Sequence, residues 1–272
     1  MKKLIGLIIL ICLVMALAAC GGSKSEKAES AQDNAAATNA GSADDADDAD
    51  TDAPADGTGS AEAKDKKPHA KLLYMGHASI RIQTPEGKVI YIDPYAGEGY
   101  EPAADLILVT HGHSDHSAVE KVANRNSGCQ VIRWAEALEG GEHRTFDLDY
   151  VKVEAVEAGY NKNHDVSKCV GYILTLSDGV TVYVTGDTST TKQMPKLAER
   201  KIDYAFYCCD GVYNMDTAEA ARCAKTVGAK HNIPYHMIPN NGKYDRKAAE
   251  SFDAPNRLIM EEGEEIELEP AE

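Results

Sequence analysis

The chain has 272 residues, with 44 acidic against 28 basic side chains and a formal net charge of -16. That balance argues against a protein that grips nucleic acid through a basic patch, and it leaves metal chemistry open, because acids and histidines are the groups such chemistry uses. Aromatic residues make up only 6%, yet 43% hydrophobic content suffices for a sizeable core, and the length suits one or two domains.

The chain begins Met1-Lys2-Lys3 and continues in an apolar run, Leu4 to Ala19. The run is shorter than the roughly 20 residues of a comfortable membrane span and fits the core of a signal peptide. It ends Leu17-Ala18-Ala19-Cys20, which resembles the lipobox of bacterial lipoproteins. The resemblance implies cleavage before Cys20, acylation of its thiol, and a mature protein held on the outer side of the cell membrane by lipid. From Gly21 to Pro68 there is no Leu, Ile, Val, Phe, Tyr or Trp, and Asp44 to Asp56 is an acidic run. Such a segment cannot bury a core, and its like charges extend it. The expected organisation is therefore a signal over 1–19, a lipidated cysteine and acidic tether over 20–68, and one domain over 69–272.

The domain opens with short β-rich runs at Lys71–Met75, Ile80–Thr84 and Val89–Asp93, punctuated by Gly76 and by Pro85-Glu86-Gly87-Lys88, a hairpin signal. Leu106–Thr110 is apolar throughout, as in a strand buried on both faces. A helix is expected over Ser117–Asn124, where Ser117 and Glu120 have capping-box spacing. Strands follow at Val131–Trp134, Val151–Val156, Val170–Leu176 and Val180–Thr185. Helices fit Lys192–Lys201, Thr217–Val227 and Arg246–Phe252, with further strands at Tyr204–Tyr207, Ile233–Tyr235, Leu258–Met260 and Glu264–Leu268. Many strands with interspersed helices indicate a layered α/β protein.

The chemistry concentrates in His111-Gly112-His113-Ser114-Asp115-His116, where the apolar run stops. Histidines at i and i+2 on extended backbone point the same way, so His111 and His113 can share one cation, with Asp115 and His116 past the bend facing a second. Imidazole and carboxylate suit zinc, manganese or iron. The five cysteines of the domain, Cys129, Cys169, Cys208, Cys209 and Cys223, are odd in number and contain no C-x-x-C, so no disulfide framework or thiolate zinc site is indicated, although one bridge stays open. No G-x-S-x-G nucleophile turn occurs, and Gly97-Glu98-Gly99 lacks the third glycine of a dinucleotide site.

The His111–His116 run matches the H-x-H-x-D-H signature of the metallo-β-lactamase superfamily. Tyr160-Asn161-Lys162-Asn163-His164, Thr185-Gly186-Asp187-Thr188 and Ile233-Pro234-Tyr235-His236 resemble that family's later ligand segments in the right order. Gly76-His77-Ala78-Ser79 and Ile92-Asp93-Pro94 are similar to its opening strands. The nearest resemblance is to its lactonase-like branch, which includes ascorbate-6-phosphate lactonase. It implies a four-layer αββα sandwich and two divalent ions, zinc first, with manganese or iron as alternatives. The implied ligands are His111, His113, Asp115, His116, His164, Asp187 and His236. It further implies hydrolysis of a small ester, lactone, amide or phosphoester by a hydroxide bridging the ions, with Asp115 handling the proton. His143 competes with His164 and His231 with His236, while Asp187 could merely cap a turn. Asp93 reads equally as an outer support or a turn residue, and His77 either reaches the mouth of the site or sits in a glycine turn. The rival class is a surface lipoprotein that binds a metal or ligand without turnover.

Overall fold

A computed structural model describes residues 68–237 and 244–270. The expected signal, Cys20 and all but the last residue of the expected tether lie outside them.

In chain order come strands β1 (Ala70–Gly76), β2 (Ser79–Gln83), β3 (Val89–Ile92), β4 (Ala104–Val109) and β5 (Arg125–Arg133), then the short helix α1 (Trp134–Ala137). A ribbon of β6 (Leu138–Glu139) and β7 (Glu142–His143) leads to β8 (Thr145–Leu148), β9 (Val151–Glu157), β10 (Val170–Leu176) and β11 (Thr181–Val184). Helix α2 (Met194–Leu197), strand β12 (Tyr204–Cys208), helix α3 (Thr217–Val227), strand β13 (His231–Tyr235), helix α4 (Arg246–Glu250) and strand β14 (Glu264–Leu268) follow.

The long strands form two six-stranded sheets, ordered β14-β1-β2-β3-β4-β5 and β13-β12-β11-β10-β9-β8. Each is antiparallel at one end and parallel at the other, the parallel joins being β3/β4 and β4/β5 in the first sheet, β11/β12 and β12/β13 in the second. Alternation along the strands sorts side chains onto two faces. Leu72, Tyr74, Ile90, Ile92, Leu106 and Leu108 enter the main core together with Tyr172, Leu174, Val182 and Phe206 of the second sheet. The intervening Met75, Val89, Tyr91, Ile107 and Val109 form a smaller cluster behind the first sheet. Helix α3 covers the second sheet at β12 and β13 with Ala220, Ala221, Cys223, Ala224 and Val227. Its start is fixed by Asp216, which accepts the Glu219 N–H at 2.7 Å.

Several local expectations give way. The helix expected over Ser117–Asn124 contracts to a 3-10 turn, Val119–Lys121. Ser117 Oγ donates to the His113 carbonyl at 2.9 Å rather than capping a helix, and Ala118 N–H is claimed by the Pro94 carbonyl. The strand expected at Val131–Trp134 begins at Arg125, and Trp134 opens α1. Lys192–Lys201 breaks into α2 and a 3-10 turn, Ala198–Arg200, and Arg246–Phe252 ends at Glu250. Leu258–Met260 is not a strand; beside it runs one isolated bridge, Asn232 with Arg257. All five cysteines of the domain are free.

Candidate metal centre

The groups singled out in the sequence gather at the carboxyl ends of the parallel strands, where open α/β sheets commonly bind ligands. Asp93 follows β3, Thr110 and His111 follow β4, Asp187 follows β11, Asp210 follows β12 and His236 follows β13. His77 sits in the β1–β2 turn, and His164 lies in the loop between β9 and β10. Gly186 is required beside Asp187, because its φ is +61° and a Cβ there would lie 2.7 Å from the Val170 carbonyl oxygen. Of the non-glycine residues with positive φ among those described, three are His77, Asp93 and His236. Such geometry costs of order 1–3 kcal/mol per residue and tends to persist where surrounding structure enforces it at a working site.

Two donor groups share a seam. His111, His113 and His164 form one, and His77, Asp115, His116 and His236 the other, while Asp187 faces His111 and His116. His111 Nε2 lies 3.0 Å from His113 Nδ1, and His116 Nε2 lies 3.2 Å from His236 Nε2. Asp187 spans the groups, with Oδ1 3.4 Å from the Nε2 of both His116 and His236, and Oδ2 3.2 Å from His164 Nε2. The competitors stay out: His231 stacks on Tyr204, and His143 lies in β7. His77 is not at the mouth. It is buried, because its turn is pinned by the Tyr74 hydroxyl and the His236 N–H, both bonded to its carbonyl at 2.9 Å.

Outer partners fix the tautomers. Thr110 Oγ1 donates to Asp93 at 2.6 Å, so it accepts from His111 Nδ1 at 3.1 Å. His116 Nδ1 donates to Asp93 at 2.8 Å and His164 Nδ1 to Asn161 Oδ1 at 3.0 Å. His236 Nδ1 faces Asp210 Oδ2 at 3.4 Å. Each proton held on Nδ1 leaves a bare Nε2 lone pair pointing inward, the arrangement metal-ligating histidines adopt. Asp93 accepts from the Thr110 N–H and hydroxyl and from His116. Thr110, Asn161, Asp210 and Asn214 were not singled out in the sequence. Asn214 Nδ2 donates to Asp187 at 2.8 Å and to Asp210 at 2.7 Å, holding both carboxylates. The nearest signal for this pair is Asp210-Gly211 after an apolar strand, the same kind of strand-end acid as Asp93 and Asp187.

The arrangement fits divalent cations. Asp187 Oδ1 is buried without a hydrogen bond and faces the Nε2 atoms of His116 and His236, so one carboxylate oxygen and two imidazole nitrogens converge on one point. Their spacings of 3.2 and 3.4 Å match donors around a tetrahedral zinc, which at about 2.0–2.1 Å from the ion lie roughly 3.3 Å apart. Protons feel the same negative potential. Burial resists charging His116, yet Asp187 and Asp93 carry its pKa well above the usual value. Burial likewise opposes His236, and Asp187 and Asp210 raise it. Asp187 is held well below the carboxylate range against its own burial, by His236 and His116. His111, by contrast, is pushed down to about 2 by burial and by neighbouring imidazoles.

Beside the first group lies a cavity of about 350 Å³ lined by His111, His113, Trp134, Asn163, His164 and Lys168. A larger hollow of about 440 Å³ near Pro68, Pro85 and Pro270 contains none of the clustered donors.

Comparison with known proteins agrees with this geometry. A profile of the β-lactamase superfamily domain matches residues 71–236. A UPF0173 metal-dependent hydrolase of Pyrococcus furiosus is 29% identical over 227 residues, covering 74% of this chain and 97% of the relative. A solved chain from Parabacteroides distasonis, provisionally named a metal-dependent hydrolase, is 27% identical with a TM-score of 0.58, covering 70% of this chain and 90% of its own. A metallo-β-lactamase fold protein of Bacillus subtilis shares the fold at a TM-score of 0.55 and 18% identity, covering 73% and 99%. With its paired sheets and its donors gathered at their common edge, the chain belongs to the metallo-β-lactamase superfamily.

Proposed function

We propose that this chain, a metal-dependent hydrolase like its relatives, cleaves a small ester, lactone, amide or phosphoester outside the cytoplasm while tethered to the membrane through lipid on Cys20. The observation that carries the hydrolytic reading is the convergence of bare histidine nitrogens on both oxygens of one buried carboxylate, Asp187. His111, His113 and His164 would hold one divalent ion, zinc first, and Asp115, His116 and His236 a second, with Asp187 shared. Such ions supply acidified water and polarisation of the scissile carbonyl or phosphoryl group.

The protein's own part is positioning and proton handling. Asn214 keeps Asp187 turned inward, and Asp93 serves His116 directly and His111 through Thr110. Asp115 differs from the buried acids in having 38% of its side chain exposed, so it can orient an attacking water and pass its proton to solvent. The hydrogen bond from His77 is the main cause of its depressed pKa, which keeps it ionised at neutral pH. Substrate enters beside Trp134 and Lys168, in the cavity that reaches His113 and His164. The lipobox-like Leu17-Ala18-Ala19-Cys20 supports the membrane tether, and the resemblance to the lactonase-like branch supports including lactones among the substrates to try.

The test is a metal assay of the purified protein together with turnover of generic esters, lactones, amides and phosphoesters. About two ions per chain and a chelator-sensitive product, lost in Asp187→Ala, are expected. Metal or ligand binding with no product from any class would instead favour a binding lipoprotein, and loss of membrane retention in Cys20→Ala checks the tether.

A further inference from the structure

We infer that His77 is a positioning residue that orients the Asp115 carboxylate for the second donor group; this rests on reading Asp115, His116 and His236 as cation donors. His77 Nε2 lies 3.0 Å from Asp115 Oδ2. An ionised carboxylate only accepts, so Nε2 carries the proton, and Nδ1, buried and without a partner, is the bare nitrogen. Three of the other buried histidines do the reverse: His111, His116 and His164 anchor Nδ1 on an oxygen. His236 faces Asp210 with Nδ1 at 3.4 Å and turns Nε2 inward toward His116. His77 instead spends Nε2 on a carboxylate oxygen, and so does for Asp115 what Asp93 does for His116.

The placement is rigid on three sides. The His77 ring lies 3.8 Å from the His236 ring, tilted 42°, and meets the Tyr95 ring edge-on at 5.7 Å. Its backbone carbonyl holds the His236 N–H and the Tyr74 hydroxyl, both at 2.9 Å. The left-handed φ of +50° is the price of turning the ring inward from a tight β1–β2 connection. Asp115 needs such a hold. It stands on the His113–Ser117 bend, part exposed, and among the described residues His77 makes the side-chain hydrogen bond to its carboxylate. With Oδ2 engaged, the carboxylate has one rotational setting rather than several, and Oδ1 is left without a side-chain donor.

The experiment titrates metal-free full-length protein with zinc against a competing chelator, for the natural sequence, His77→Phe and His77→Gln. Phe fills the space without an N–H, whereas Gln keeps a donor. Outer partners of metal ligands are worth about 10–100-fold in affinity. His77→Phe is therefore expected to weaken the second zinc by that factor and the first by no more than about 3-fold. His77→Gln should recover most of the loss, and the visible spectrum of its cobalt-saturated form should match the natural protein's. Unchanged zinc affinities in His77→Phe would overturn the inference. So would equal losses in both variants: with an altered cobalt spectrum they would make His77 a ligand, and with an equal fall in metal-free melting temperature a packing residue. If the natural protein binds fewer than two zinc ions, the reading of the second donor group fails first, and the inference with it.

Discussion

Asn214 ties two acids of the donor cluster to one side chain. Its amide nitrogen binds Asp187 and Asp210 together, and Asp210 in turn faces His236. Asn214→Ala is expected to lower zinc affinity and turnover about 10–100-fold with little change in fold, as read by competition titration beside far-UV circular dichroism. This residue also marks where the sequence stopped being legible. The His111–His116 run announces itself because clustered histidines at a strand end have few other uses, whereas His164, Asp187 and His236 are reached only through the family resemblance that this run opens. Asn214, Asn161, Thr110 and Asp210 carry no such pattern. A lone Asn or Thr in a loop resembles any turn residue, and its partner is fixed only when β11, β12 and β13 lie side by side. His77 was ambiguous for the same reason, since its burial depends on a contact with His236, distant in the chain.

Among the elements, α3 was readable to the residue, at Thr217–Val227, because an acidic cap, an apolar face and Gly228 beyond its end all agree. Asp216→Ala should destabilise the protein by about 1 kcal/mol, measured as a shift in urea midpoint with unchanged slope. The segment Ser117–Asn124 shows the opposite case. Its capping spacing is real, but Ser117 Oγ bonds back to the His113 carbonyl and the Ala118 N–H reaches across to the Pro94 carbonyl, so tertiary demand overrides local propensity. Strands β6, β7 and β8 escaped reading because they are only two to four residues long and at most half-buried, too short for alternation to register.

For the molecule as a whole, acid and chelator should act through different groups. Asp105, nearly buried in β4, accepts the Val89 N–H and the Lys88 ammonium, both at 3.0 Å. Burial alone would raise its pKa, but these donors hold it below the usual carboxylate value. A carboxylate with a lower pKa in the folded than in the unfolded chain stabilises the fold above its unfolded pKa, about 3.9. That contribution fades as the pH falls through the folded value. Asp105→Asn should therefore be less stable at pH 7, by about 1–3 kcal/mol for the disturbed buried bonds, and should show a flatter loss of stability below about pH 4. Denaturant titrations at a series of pH values check both. Metal removal should instead lower the melting temperature at every pH where the histidines are unprotonated. An ion present at 100 times its dissociation constant contributes about 2.7 kcal/mol, readable by calorimetry with and without chelator.

The donors do not come from one sheet. His77, His111, His113, Asp115 and His116 lie at the ends of the first, while His164, Asp187 and His236 belong to the second. A cation seated among them is a rivet through two leaves that otherwise meet through an apolar core and a few hydrogen bonds, such as the Val170 N–H to the Thr110 carbonyl, and its loss should let that margin breathe while the opposite margin stays shut. Amide exchange that quickens first around Thr110, Gly186 and Tyr235 would be the sign of it.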